Sequence, residues 1–297
     1  MIIDVHVHSG EKHHFSEEMD VTLDKGLHVA GWEAKGLWKD TGIFDVGVDG
    51  LIERMDQAGV DKAFLFAMDL NYVWKSHVPN EYVAKIVDKH PDRFIGFSSV
   101  DPLKGMQAVD DLEIAINDLK MQGLKMYPGY GDFSPNDATV YPVYEKAQEL
   151  GIPVVLHSGW ISAGKWKKIV PLTPKYDEVA VDFPDLKIIL AHGGHVLIDE
   201  VLMLMLKNPN IYIDLSWWSF LMPVEYQIKA LKLAKHFMVL DKVLWGTDNY
   251  DPRIDIALVK SLPEKSKEYN LFPTLPEINN EDIENYLGNN AAKLMGI

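Results

Sequence analysis

Eight short apolar runs, each followed by a stretch of helical periodicity, predict a single (β/α)8 TIM barrel for this 297-residue chain. Two further observations support that fold class. The runs are continuously apolar rather than alternating, as in parallel strands buried on both faces. Several of them also end on a histidine or an aspartate, which would place those groups on one rim if the strands close. A doubly wound open sheet is the competing arrangement, and the count of eight favours closure.

In chain order the predicted strands are Ile2–His8, Val60–Met68, Phe94–Val100, Gly123–Tyr127, Ile152–His157, Leu186–His192, Ile211–Ser216 and Val243–Asp248. Helices are predicted between them. Asp49–Ala58 carries Leu51, Ile52 and Met55 at helical spacing, and Glu81–Lys89 follows. Gln107–Met121 gathers Leu112, Ala115, Ile116 and Leu119 on one face. Tyr141–Leu150 stops at Gly151, a residue suited to a helix C-terminus. Thr173–Phe183, Pro223–His236 and Asp282–Met295 complete the set, and the apolar run Val196–Leu206 reads as a buried helix. Two insertions are expected, Ser9–Gly47 after the first strand and Asn249–Asn280 after the last. No Ser/Gly-rich linker divides the chain, so residues 1–297 read as one domain. In a barrel both insertions lie at the catalytic end, where the first, with Trp32 and Trp38, would make a lid or a plain surface loop.

Composition narrows the function classes. A formal charge of −15 disfavours a nucleic-acid partner, whose phosphates it would repel. With no cysteine, disulfides are excluded and any metal must be held by histidine and carboxylate. The most apolar run is too short to cross a bilayer, and the first predicted strand leaves no space for a leader, so a cytoplasmic protein is expected. A small-molecule substrate, with or without a homo-oligomeric assembly, fits these bounds.

The sharpest motif is Asp4-Val5-His6-Val7-His8. Alternate residues of a strand share a face, so His6 and His8 are expected to point the same way and grip one cation. Asp4 is expected on that face too, one step deeper, orienting a histidine. His157, His192 and Asp248 end the fifth, sixth and eighth predicted strands, positions where burial without a partner is costly.

His-x-His, then His, then His-Gly-Gly, then Asp, in this order along the whole chain, resembles the amidohydrolase superfamily, and most closely the amidohydrolase 2 family with its aminocarboxymuconate semialdehyde decarboxylase-like members. The resemblance implies a barrel in which His6, His8, His157 and Asp248 hold a divalent metal and His192 is a catalytic histidine outside the ligand set. Imidazoles and a carboxylate suit one zinc ion with a position left for water, and Asp248 would also take the water's proton. Lys125 lies on the strand where binuclear relatives carry a carboxylated lysine. It could equally bind an anionic substrate or pair with a buried carboxylate, and the mononuclear relatives favour one metal. His195 is open between a capping and a pocket role. Tyr127, Trp160, Trp217, Trp218 and Arg253 follow strand ends and are candidate substrate contacts, Arg253 for a carboxylate.

The leading expectation is metal-assisted hydrolysis of a small amide, lactone or ester. Its rival is non-oxidative decarboxylation of an unsaturated or aromatic carboxylate, with His192 handling protons. A non-catalytic metal-binding barrel is the third reading.

Overall fold

The computed structural model of the chain describes residues 1–19, 47–159 and 173–297. In chain order the strands are β1 (Ile3–His8), β2 (Lys62–Phe66), a short antiparallel pair β3 (Met68–Leu70) and β4 (Ser76–Val78), β5 (Phe94–Ser99), β6 (Gly123–Met126), β7 (Val154–His157), β8 (Ile188–Ala191), β9 (Ile211–Asp214) and β10 (Val243–Leu244). All but the β3–β4 pair form one eight-stranded parallel sheet in the order β1-β2-β5-β6-β7-β8-β9-β10. Its two edges meet. Val5 N donates to Trp245 O at 3.1 Å and Asp248 N to His6 O at 2.8 Å, which closes the sheet into the expected TIM barrel.

Closure separates two apolar layers. Ile3, Val5, Phe64, Phe66, Ile95, Phe97, Val155, Ile189 and Leu244 fill the interior, with Phe64 stacked on Phe97 at 4.7 Å between ring centres. The other face of each strand packs on the surrounding helices, where Leu51, Met55, Val83, Leu112, Val143, Leu202, Ile228 and Val259 are buried. Truncating any one of these interior rings to alanine would cost about 3–5 kcal/mol, because a closed barrel cannot collapse on the void.

The helices follow the sequence closely at Val48–Ala58, Asn80–Lys89, Met106–Asn117, Tyr141–Glu149, Thr173–Asp182 and Val224–His236. Two expectations need correction. The run read as a buried helix is Ile198–Lys207, and it is only half-buried: Val196, Met203 and Leu206 are exposed while Ile198, Val201, Leu202 and Met205 face the sheet. The stretch Asn249–Asn280, read as an insertion, contains the helix Pro252–Glu268. The Asp251 side chain caps that helix by accepting from Arg253 N, and Ile256, Val259 and Leu262 bury its inner face, so it is the barrel's last outer helix. The short β3–β4 pair was not foreseen. Most of the expected first insertion, including Trp32 and Trp38, lies outside the described residues. Among the described residues no helix is long and apolar enough to cross a membrane.

Candidate metal centre

Strand β1 carries one residue more than β2 between Asp4, paired with Ala63, and Val7, paired with Leu65. Such a bulge resets the alternation of faces. Asp4 and Val7 stand opposite residues of the outer layer, whereas His8 pairs with Phe66 of the inner one. The imidazole of His6 also points inward, 4.9 Å from the Phe66 ring. The expected placement of Asp4 beside the histidines is therefore corrected. Its carboxylate orients no imidazole but accepts from His6 N (3.1 Å), Thr247 N (2.9 Å) and Thr247 Oγ1 (2.6 Å), clasping the first strand to the end of the last. Burial outweighs these hydrogen bonds and pushes the Asp4 pKa up to about 7.

Asp248 reaches the two histidines across the same seam. Its Oδ1 lies 3.7 Å from His6 Nε2 and 3.3 Å from His8 Nε2. One donor atom from each of His6, His8 and Asp248 lies within 4.8 Å of the others, compact enough to surround a single cation. The backbone holds Asp248 in place: φ is +53°, N donates to His6 O, and Trp217 Nε1 donates to its carbonyl at 2.9 Å. Gly246 permits the close approach of the strands, since a Cβ there would sit 2.9 Å from His6 Cβ. His6 is fully enclosed, while His8 (12% exposed) and Asp248 (17%) form the open side.

The remaining histidines form a wall. His192 lies 4.9 Å from the His6 ring and 4.8 Å from that of His157, and His195 stacks on it at 5.3 Å. His157 thus joins the constellation beside His192, but it belongs to neither of the two trios whose donor atoms cluster among the described residues, His6–His8–Asp248 and the fully buried His6–His192–Asp214. Burial, then the neighbouring His157 and His6, pushes the His192 pKa well below the usual imidazole range. Burial, followed by His6 and Lys125, does the same for His8. Neutral imidazoles are the form that binds a metal. His195 follows the two turn glycines with φ at +49°, and burial lowers its pKa to about 4.

Lys125 is wholly buried, with Nζ 3.4 Å from His6 Nε2 and 5.0 and 5.2 Å from the ring centres of Phe66 and Tyr127. Burial lowers its pKa to about 8 against the opposing pull of Asp214 and Asp248. Tyr127 turns its hydroxyl to Ala67 O and its ring towards His8. Trp218 is buried and supports the wall through Nε1 donating to His192 O. Arg253 is a correction: its guanidinium is half-exposed and committed to Asp251 and Gln57, and the structure does not bring it to the cluster. Trp160 lies outside the described residues.

Two residues absent from the sequence reading belong to the centre. Asp214, at the end of β9, is fully buried with Oδ2 3.1 Å from His6 Nδ1 and Oδ1 accepting from His192 N at 3.1 Å. Burial alone would raise its pKa, but His6, Lys125 and Ser216 outweigh burial and hold the carboxylate below its usual range. Ser216 follows, with Oγ 2.8 Å from His192 Nδ1. The signal was present in Ile211-Tyr212-Ile213-Asp214-Leu215-Ser216: a carboxylate inside an apolar strand needs partners there.

A family model described as Amidohydrolase matches residues 3–297. The chain is 25% identical over 248 residues to a 2-amino-3-carboxymuconate-6-semialdehyde decarboxylase of Dictyostelium discoideum, a match covering 73% of this chain and 65% of that protein. It is 30% identical over 196 residues to a 2-keto-4-carboxy-3-hexenedioate hydratase of a Sphingobium species, covering 57% and 56%. The chain thus spans less than two thirds of either relative's length. Among solved structures, an uncharacterized TIM-barrel protein of Bordetella bronchiseptica is similar at a TM-score of 0.72 and 21% identity, covering 99% of this chain and 98% of that one. A 5-carboxyvanillate decarboxylase of Novosphingobium aromaticivorans, complexed with manganese and 4-hydroxy-3-methoxy-5-nitrobenzoic acid, is similar at 0.68 and 15%, covering 100% and 96%. With the family model matched from the first strand to the last residue, this chain belongs to the amidohydrolase 2 family that its histidine and aspartate motifs resemble.

Proposed function

We propose that the protein is a metal-dependent decarboxylase of a small unsaturated or aromatic carboxylate. The observation that carries this reading is Lys125: a buried ammonium between two aromatic rings, within 3.4 Å of the His6 nitrogen that faces Asp248. A cation in an aromatic-walled recess suits a planar, negatively charged substrate. Hydrolysis of a neutral amide or ester gives no reason to bury that charge. The names of the decarboxylase relatives support the same choice, so the rival in the sequence reading displaces hydrolysis as the preferred function.

His6, His8 and Asp248 would hold the cation, with His157 beside them. A donor set of imidazoles and one carboxylate fits zinc or manganese, and one ion is favoured. When bound, the cation supplies Lewis acidity that orients the substrate and spreads its negative charge. Lys125 adds a second positive group and anchors a carboxylate, and the rings of Phe66 and Tyr127 flank it. His192 manages the proton. The bond from the substrate carbon to its carboxylate breaks, and CO2 leaves without the bonding pair. A proton drawn from solvent through His192 takes its place on that carbon.

A panel of aromatic and unsaturated carboxylates, incubated with protein loaded with manganese or zinc, tests the reading by CO2 release. Turnover of lactones or amides with no CO2 from any carboxylate would overturn it. That result would support the second reading, in which a metal-activated water attacks the substrate, a chemistry in keeping with the hydratase relative.

A further inference from the structure

We propose that Ser216 is a positioning residue which, together with Asp214, fixes the imidazole tautomers of His6 and His192 so that each carries its hydrogen on Nδ1 and presents an unprotonated Nε2 to the site. The consequence for turnover rests on the decarboxylase reading above, whereas the hydrogen-bond assignment does not.

Donor counting leads to this assignment. Asp214 Oδ1 accepts from Ser216 N at 3.0 Å, from His192 N at 3.1 Å and from Ser216 Oγ. The contact between the serine and carboxylate oxygens is too close to exist without a shared hydrogen, so the one hydroxyl hydrogen of Ser216 is directed to Asp214. Ser216 Oγ then has only lone pairs to offer the His192 Nδ1 that lies 2.8 Å away. The same nitrogen also faces Ser216 O at 3.4 Å, a carbonyl that can only accept. Both neighbours require His192 Nδ1 to be the donor.

His6 follows from the other carboxylate oxygen. Its Nδ1 lies 3.1 Å from Asp214 Oδ2 and 3.2 Å from Ser216 Oγ, two acceptors with no hydrogen left to give. On the far side of the ring, Nε2 faces Lys125 Nζ at 3.4 Å. An ammonium has no lone pair, so Nε2 must be the acceptor. The two edges of the His6 ring independently give the same tautomer.

The arrangement assigns each nitrogen a task. Nε2 of His6 is the atom facing Asp248, where the cation would bind, and Nε2 of His192 is the atom left to take up and hand on a proton. One carboxylate and one hydroxyl hold both rings, so the metal-facing histidine and the proton-handling histidine are set by a single element, the end of β9.

Long-range 15N–1H correlation spectra of metal-free protein labelled with 15N-histidine test the assignment without reference to turnover. The expected wild-type result is the Nδ1–H pattern for His6 and His192. In Ser216→Ala only the longer carbonyl contact remains for His192, so its resonances should move towards the Nε2–H form while those of His6 keep the Asp214-bound pattern. In the metal-loaded enzyme the same variant should lower kcat about 10–100-fold with KM changed less than about twofold. An Nε2–H pattern for either histidine in the wild type would overturn the proposal, as would a His192 tautomer unchanged by Ser216→Ala. The expected tautomers in a protein that releases no CO2 from any carboxylate would leave the assignment standing and remove the decarboxylase reading instead.

Discussion

Replacing Gly159 with alanine would put a methyl carbon 2.6 Å from Cδ2 of His192 and 2.8 Å from its Cβ and Cγ. Ordinary van der Waals contact begins at 3.4 Å, so the ring must retreat by about 0.8 Å. His192 has little freedom to do so without breaking bonds. Its N is held by Asp214, its Nδ1 faces Ser216, its carbonyl accepts from Trp218, and its backbone is already left-handed at a φ of +65°. If His192 moves the proton as proposed, a displacement approaching 1 Å costs about 100-fold in rate, equivalent to about 2.7 kcal/mol in the barrier. The accompanying loss of stability from overpacking should be about 1–3 kcal/mol. Steady-state CO2 release, measured with thermal unfolding of the same preparation, reads both effects. Gly47→Ala is the control, since a methyl group there meets nothing within 4 Å. A folded Gly159→Ala protein with kcat within about twofold of the parent would refute the premise that the position of the His192 ring limits turnover.

Other consequences can be measured directly. Asp248→Asn should leave the melting profile of the metal-free protein within a few degrees of wild type yet abolish detectable turnover; near-normal activity would remove Asp248 from the mechanism. Lys125→Met should raise KM for carboxylate substrates about 10–100-fold, as expected for the loss of a charged hydrogen bond, with a smaller change in kcat. Chelation should lower the melting temperature, and adding back manganese or zinc at about a hundred times its dissociation constant should restore about 2.7 kcal/mol in unfolding measurements. Asp255 gives a pH signature. Burial pushes its pKa from 3.8 up to about 7, although Ser219 and Trp245 lean the other way. In that window the folded protein retains a proton that the unfolded chain has lost, so stability should fall as pH rises from about 4 to about 7 and level off above. Asp255→Asn should remove about 2.6 kcal/mol of that decline in metal-free protein, read by urea unfolding at pH 5 and pH 8. Part of the slope should persist, because Asp4 is displaced in the same direction.

The barrel was legible in the sequence because parallel strands buried on both faces leave a strong local mark, and all eight runs became sheet strands. The helix Pro252–Glu268 escaped for a local reason too. It contains Pro263 and the buried Asp255, residues that suggest a loop until tertiary partners such as Ser219 are known. Similar reasons divide the site. His6, His8, His192 and Asp248 stood out as titratable groups at the ends of apolar runs, and the fold brings them together. The side on which Asp4 points depends on a bulge of one residue, which no periodicity reveals. Asp214 and Ser216 matter through hydrogen bonds to residues 208 and 24 positions away, contacts that exist only once the sheet has closed. Arg253 looked suited to a carboxylate by type, but a neighbour two residues away holds its fork.

The join between the first and last strands is fastened by side chains as well as by backbone. Asp4 grips Thr247, and the Asn249 amide both accepts from His8 N and donates to His8 O. The groups proposed to hold a cation straddle this join: His6 and His8 stand on the first strand of the sheet, and Asp248 follows the last, some 240 residues further along the chain. That donor set is therefore complete only when the last strand has docked against the first. An ion held by the three would act as a rivet across the place where the cylinder would otherwise spring open.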